Sequence, residues 1–189
     1  MSHEPVRYVV DPDGVVVARN DAWSRFAHAA GAPDVARWSG TLAEAISGRE
    51  VLALWDAVLA SVRERQGAAS FRVRCDGPSV ARTLRLSLAA DDRGYVTFES
   101  SVDDARPTRL VPLFDATKPR SAEHLRSCSW CNRFHIGRWV EPAVAVAELG
   151  LLAAPVVPAI THTICETCAA AVEEALADVR PLQPRELVT

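Results

Sequence analysis

Residues 50–65, Glu50-Val51-Leu52-Ala53-Leu54-Trp55-Asp56-Ala57-Val58-Leu59-Ala60-Ser61-Val62-Arg63-Glu64-Arg65, decide how the first half of the chain folds. Val51, Leu52, Trp55, Val58, Leu59 and Val62 recur at intervals of three and four, which makes one apolar stripe on a helix. Ser47-Gly48-Arg49-Glu50 reads as a capping box at its start, and Gly67 ends it. The pattern then changes to a period of two. Phe71, Val73 and Cys75 alternate with Arg72 and Arg74; Leu84, Leu86 and Leu88 alternate with Thr83, Arg85 and Ser87; Val96 and Phe98 alternate with Tyr95, Thr97 and Glu99. Asp76-Gly77-Pro78 and Asp91-Asp92-Arg93-Gly94 are turns. One long helix followed by a three-stranded antiparallel meander with one buried face is the expectation.

Upstream, residues 7–10 and 15–18 are short β-branched runs around Asp11-Pro12-Asp13-Gly14, a hairpin pattern. Asn20 or Asp21 caps a helix carrying Trp23, Phe26, Ala27 and Ala30, with Gly31 and Pro33 as its stop. Thr41-Leu42-Ala43-Glu44 is another capping box. The fold class is therefore α+β: an antiparallel sheet with helices on one face, over residues 5–102.

The second half carries Cys128-Ser129-Trp130-Cys131 and Cys165-Glu166-Thr167-Cys168, with 33 residues between the pairs. Each C-x-x-C can aim two sulfurs at one point, and four thiolates in a tetrahedron are what a structural Zn²⁺ takes. The competing chemistry is a thiol-redox sensor or oxidoreductase using the pairs. His162 is either an alternative ligand or a hydrogen-bond donor to a sulfur. His135 reads as a surface histidine, and a lone helical His28 gives no reason to expect haem. No H-E-x-x-H or H-x-E…C-x-x-C arrangement is present, so a zinc hydrolase is not expected, and the leading reading is of a protein that is not an enzyme. Cys75, in phase with Phe71 and Val73, reads as a small buried hydrophobe.

Residues 103–120 read as a linker, although Val111, Leu113 and Phe114 are apolar enough to pack. Residues 121–180 read as a small helical zinc module. Ser121 caps a short helix delivering Cys128, Glu141-Pro142 opens another helix closed by Gly150, and a third starts at Cys168. Residues 181–189 are a proline-bearing tail expected to fray.

Composition bounds the function classes. Among 189 residues, 49% are hydrophobic and 24% charged, the range of an ordinary globular chain. A net charge of −3 argues against a nucleic-acid binder. The most apolar stretch, 142–160, contains Glu148, Gly150, Pro155 and Pro158, so no membrane span is expected. With no apolar run near Met1, a reducing cytoplasm is the expected setting. Arg72, Arg74 and Arg85 fall on the polar side of the strands, a candidate surface for a protein partner or a homodimer. Trp23, Phe26, Trp38 and Trp55 are candidates to line a small-ligand pocket between sheet and helices.

The run Tyr8-Val9-Val10-Asp11-Pro12-Asp13-Gly14-Val15-Val16-Val17-Ala18-Arg19-Asn20-Asp21-Ala22-Trp23 resembles the opening of a PAS domain: strand, D-x-x-G turn, strand ending in Asn, helix. The later helix and meander fit the same family over residues 5–102. The cysteine pairs, with Arg133, Trp139 and His162, resemble the tail C-S-x-C-K…W…H-G-I-C-P-x-C found after PAS or receiver domains in bacterial signalling proteins. Asn132, Thr163 and Glu166 stand at the Lys, Gly and Pro positions of that tail. The resemblance implies sensing or signalling through a stand-alone PAS-type protein with a metal-binding tail. It names no ligand.

Overall fold

The computed structural model describes residues 4–29 and 32–181. Ala30, expected in the helix stripe, and Gly31, expected to end it, lie outside these residues, as do Met1-Ser2-His3 and all but the first residue of the tail 181–189.

The chain is α+β, with two sheets. Strands β1 (Val6–Val10) and β2 (Val16–Arg19) form the hairpin, with Gly14 at φ +83° in its turn, where a glycine carries no Cβ penalty. Helix α1 (Asp21–Ala29) follows. Asn20 settles its cap: Oδ1 accepts the Trp23 N–H at 3.2 Å. A 3-10 turn (Pro33–Arg37) and the short α2 (Leu42–Ala45) come next, the latter closed by the reciprocal Thr41–Glu44 capping box. Helix α3 (Arg49–Glu64) buries Val51, Val58, Leu59 and Val62. Its N-cap is Gly48 at φ +96°, without any side-chain cap; the box expected from Ser47 does not form.

Strands β3 (Gly67–Arg74), β4 (Val80–Ala90) and β5 (Val96–Pro107) make the meander. The first sheet is wholly antiparallel, with β1, β2 and a final short strand β10 (Arg180–Pro181) added to it in the order β10-β3-β4-β5-β1-β2. Leu88, Val96 and Phe98 bury on one face with the α3 stripe. The opposite face is polar and exposed; on it Arg7 pairs with Glu99, and Arg72 and Arg85 share Asp103.

The segment 103–120 is largely structured. Strand β5 runs through it to Pro107, and Val111 and Leu113 are buried in a second core with Leu125, Phe134, Val140, Val146 and Val157. The module beyond it is not purely helical. Strands β6 (Arg120–Cys128), β7 (Phe134–His135), β8 (Trp139–Val140) and β9 (Val157–Thr163) form a mixed sheet ordered β8-β7-β6-β9, with β6 and β9 parallel. The helix expected from Ser121 is strand β6. Its local residues allow a helix, but β9, more than thirty residues away, supplies the backbone partners that hold it extended. Helices α4 (Pro142–Glu148) and α5 (Glu166–Ala177) complete the module. No helix among the described residues is long and apolar enough to cross a membrane.

Helix α3 grips the second half of the chain at both ends, β9 at its start and α5 at its end. At its start, a Cβ on Gly48 would stand 2.3 Å from the His162 carbonyl oxygen of β9, and Thr163 Oγ1 donates to the Glu50 carboxylate. At its end, Arg65 Nη1 donates to the carbonyls of Leu176 (3.0 Å) and Val179 (3.2 Å) at the C-terminus of α5. A cation there meets the negative end of the helix dipole.

Candidate metal centre

The first cysteine pair lies on a tight turn. Cys128 ends β6 and its N–H donates to the Arg133 carbonyl at 2.8 Å; the Asn132 N–H closes back on the Cys128 carbonyl at 2.9 Å. Asn132 takes φ +59°, a left-handed conformation that asparagine tolerates better than most residues. The second pair lies on a helix start. Cys165 is the N-cap of α5 and Cys168 sits in its first turn; the helix starts at Glu166, two residues before the start expected at Cys168. There the helix dipole favours thiolate over thiol.

These two devices bring the Sγ atoms of Cys128, Cys131, Cys165 and Cys168 within 4.8 Å of one another. All five cysteines are free thiols. Cys131 and Cys165 Sγ stand 3.9 Å apart. Four sulfurs at about 2.3 Å from one Zn²⁺ would have tetrahedral edges of about 3.8 Å, so the spacing suits a shared ion. Cys128 and Cys165 are fully buried, and the Cys165 N–H donates to Cys128 Sγ at 3.4 Å.

Without a cation the quartet divides its protons unevenly. Thiol donors from Cys131 and Cys168, then the Cys165 N–H, hold Cys128 well below the usual thiol range. The resulting thiolate pushes Cys131 up to about 12 and Cys168 higher still. Four anions packed this closely cannot all ionise unaided, and a bound dication would take the place of those protons.

His162 does not join the quartet; its Nδ1 stands 3.3 Å from Ser129 Oγ, while its backbone carbonyl meets Gly48. His135 Nδ1 lies 2.9 Å from Arg126 Nη2, with its ring edge-on to Trp139. Trp139 Nε1 donates to Glu166 at 3.0 Å, which holds the β8 end against the start of α5.

Trp130, between the two cysteines of the first pair, is 6% exposed and enters the core of the first sheet. Its ring lies 5.2 Å from Trp55 of α3 and 5.4 Å, edge to face, from Phe71 of β3. Its carbonyl accepts the Arg74 N–H at 2.8 Å, at the end of β3. Trp55 continues to Phe98 (5.9 Å), and Phe98 stacks on Tyr8 (4.6 Å). An unbroken line of rings therefore runs from the Cys128–Cys131 turn to the middle of the sheet.

Of the candidate surface arginines, Arg72 and Arg85 are exposed, whereas Arg74 is taken up inside the chain. It pairs with the buried carboxylate of Asp76 and, at 3.1 Å, with Glu141, which also holds Arg133 at 2.9 Å. Burial pushes the Glu141 carboxyl up, but the two guanidiniums outweigh it and hold it below the usual range.

Trp23, Trp38 and Trp55 do line one cavity, of about 450 Å³, together with Tyr8 and Phe98. Phe26 is not part of it. That ring lines an adjoining cleft of about 560 Å³ beneath α1, where Cys75 also lies, half-buried, with burial pushing its thiol up. Tyr8, Trp130, Glu141 and Gly48 also stand at functional positions that no sequence motif marks. Only Trp130 carried a signal, a large apolar side chain fixed between two ligand candidates.

No protein-family model, curated protein or solved structure matches this chain.

Proposed function

We propose that this chain is a sensory or signalling adaptor without catalytic activity. A PAS-type domain over residues 5–102 binds a small ligand or a protein partner, and Cys128, Cys131, Cys165 and Cys168 hold a structural Zn²⁺ in the C-terminal module. The hairpin, helical middle and meander joined in one antiparallel sheet support the PAS-type reading. One observation carries the role of the metal: the quartet lies inside the core of the first sheet, through Cys128, Trp130 and Cys165. Zinc there supplies a cross-link rather than a reactive position. Four thiolates fill a tetrahedron, and no histidine or carboxylate joins them among the described residues.

The ion would hold the Cys128–Cys131 turn against the start of α5, and so hold Trp130 against α3 and β3. A change in the sheet–helix cavity can then reach the module through α3, which both halves grip. Output passes by protein contact; the exposed Arg72 and Arg85 offer a docking face for a signalling partner or a second copy. A reducing, cytoplasmic setting fits four free thiols.

Elemental analysis of protein purified under reducing conditions without added metal tests the centre. One zinc per chain, with four sulfurs at about 2.3 Å by X-ray absorption, is expected. Metal-free protein whose C-x-x-C pairs cycle reversibly between dithiol and disulfide would replace the reading with a thiol-redox one.

A further inference from the structure

The cavity between sheet and helices has a lining specific enough to name a ligand chemistry. Its volume of about 450 Å³ falls within the range of small-molecule pockets, with room for two or three fused rings. Aromatic residues make up 6% of the chain, yet Tyr8, Trp23, Trp38, Trp55 and Phe98 supply five of the nine residues lining this one space. They present both ring faces and ring edges: Tyr8 stacks on Phe98 at 10° and meets Trp23 at 67°. Flat ligands make their best contacts with such walls.

Among the described residues, no charged side chain lines the cavity. A carboxylate, phosphate or ammonium group would enter without a counter-charge and lose its hydration. Polar groups are nevertheless left over. The Trp23 indole N–H is spent on the Val35 carbonyl at 3.0 Å. The Tyr8 hydroxyl and the indole N–H groups of Trp38 and Trp55 have no hydrogen-bond partner among the described residues. Tyr8 is buried enough to push its phenol well above the usual range, so the hydroxyl stays protonated and able to donate. None of these three donors is sealed from solvent, so each is free to donate to a ligand that enters the cavity.

We propose that this cavity binds a flat, uncharged aromatic molecule bearing a hydrogen-bond acceptor, with the Tyr8 hydroxyl as the donor that orients it. The proposal names the ligand class left open by the sensory reading and rests on that reading for its biological role. Trp55, which lines the cavity and touches Trp130, is the residue through which occupancy is felt at the metal loop.

The test uses the full, zinc-loaded chain and three probes, with binding measured by calorimetry and ligand-observed NMR. Quinolin-2-one is flat and uncharged and carries a carbonyl acceptor. Naphthalene has the same shape without the acceptor, and naphthalene-2-carboxylate adds a charge. Quinolin-2-one should bind about tenfold tighter than naphthalene, the worth of one well-placed hydrogen bond, and the carboxylate weakest. Tyr8→Phe, which keeps the stack on Phe98, should remove most of that tenfold advantage and leave naphthalene unchanged. Ala45→Trp, which fills the cavity from α2, should abolish binding of all three while the zinc content stays at one per chain. Equal affinities for quinolin-2-one and naphthalene, a tightest carboxylate, indifference to Tyr8→Phe, or no binding by folded, zinc-loaded protein would each overturn the proposal. Probe binding in the expected order by protein that carries no metal would leave the cavity proposal standing and remove the zinc centre instead.

Discussion

Replacing Trp130 by alanine removes the side chain through which the metal loop enters the core of the first sheet. The ring is 6% exposed and walled by Trp55 of α3 and Phe71 of β3, with ring centroids at 5.2 and 5.4 Å. An aromatic of this size buries about 150–250 Å², or about 4–6 kcal/mol at 25 cal/mol per Å². Compactness of the unfolded chain lowers that by roughly a quarter. Losing the two ring pairs adds about 0.5–1.5 kcal/mol each. The hole cannot close easily, because its walls belong to a helix held at both ends, a sheet strand and a turn fixed by its own hydrogen bonds. These terms sum to about 4–8 kcal/mol; the alanine left at the site keeps part of the burial, so the expected loss is about 4 kcal/mol, within the usual range for deleting such a ring. Urea unfolding of metal-loaded protein in reductant, followed by circular dichroism, reads it directly. A melting shift of about 8–16 °C should accompany it for a chain of this length. Metal content should remain one per chain, since every sulfur ligand is kept. A loss under about 1 kcal/mol, at unchanged denaturant slope and metal content, would mean that Trp130 is not a core residue and that the loop does not anchor the sheet.

Other consequences follow from the same contacts. Gly48→Ala puts a Cβ against the His162 carbonyl oxygen and forces φ +96° on a side-chain-bearing residue; a loss of about 2–4 kcal/mol is expected from strain plus displacement of β9, measured by the same unfolding assay, and a neutral substitution would refute the close approach. Arg74→Ala and Glu141→Ala, combined in a double-mutant cycle, should show a coupling of about 1 kcal/mol, modest because Glu141 is half-exposed; zero coupling would mean that the pair does not help dock the module. Cys168→Ser leaves three thiolates and should raise the zinc dissociation constant at least about a hundredfold in a competition assay with a chromophoric chelator, whereas Cys75→Ser should leave it unchanged.

The first sheet was legible because its signals are local. Phe71 and Val73, then Leu84, Leu86 and Leu88, then Val96 and Phe98 alternate cleanly, and the α3 stripe buries four of its six members. The cysteine quartet was legible for the opposite reason: ligand spacing is a strong signal even when its surroundings are read wrongly. Strand β6 was not legible. Ser121, Glu123 and Leu125 suit a helix start, and the parallel partner that decides the matter lies beyond 28 intervening residues that include a hairpin and α4. Position 48 illustrates the same limit. A glycine before a helix reads as ordinary punctuation; only the carbonyl of His162, brought from the other half of the chain, makes it a contact. Arg74 reads as surface by strand phase and is instead claimed by Glu141 from the module. Long-range contacts between the halves, the substance of the proposed coupling, leave no local pattern.

The clamp itself is most directly tested by hydrogen exchange with and without the metal. Zinc-loaded protein would be compared with the same protein after extraction by a chelator under reductant. If the quartet holds the module on the first sheet, protection should fall in α3 and β3 as well as at the two C-x-x-C segments, because Trp130, Gly48 and Arg65 tie those elements to the metal loop, β9 and α5. Loss of protection confined to the cysteine turns, with α3 and β3 unchanged, would contradict the clamp and leave the metal centre a local ornament of the module.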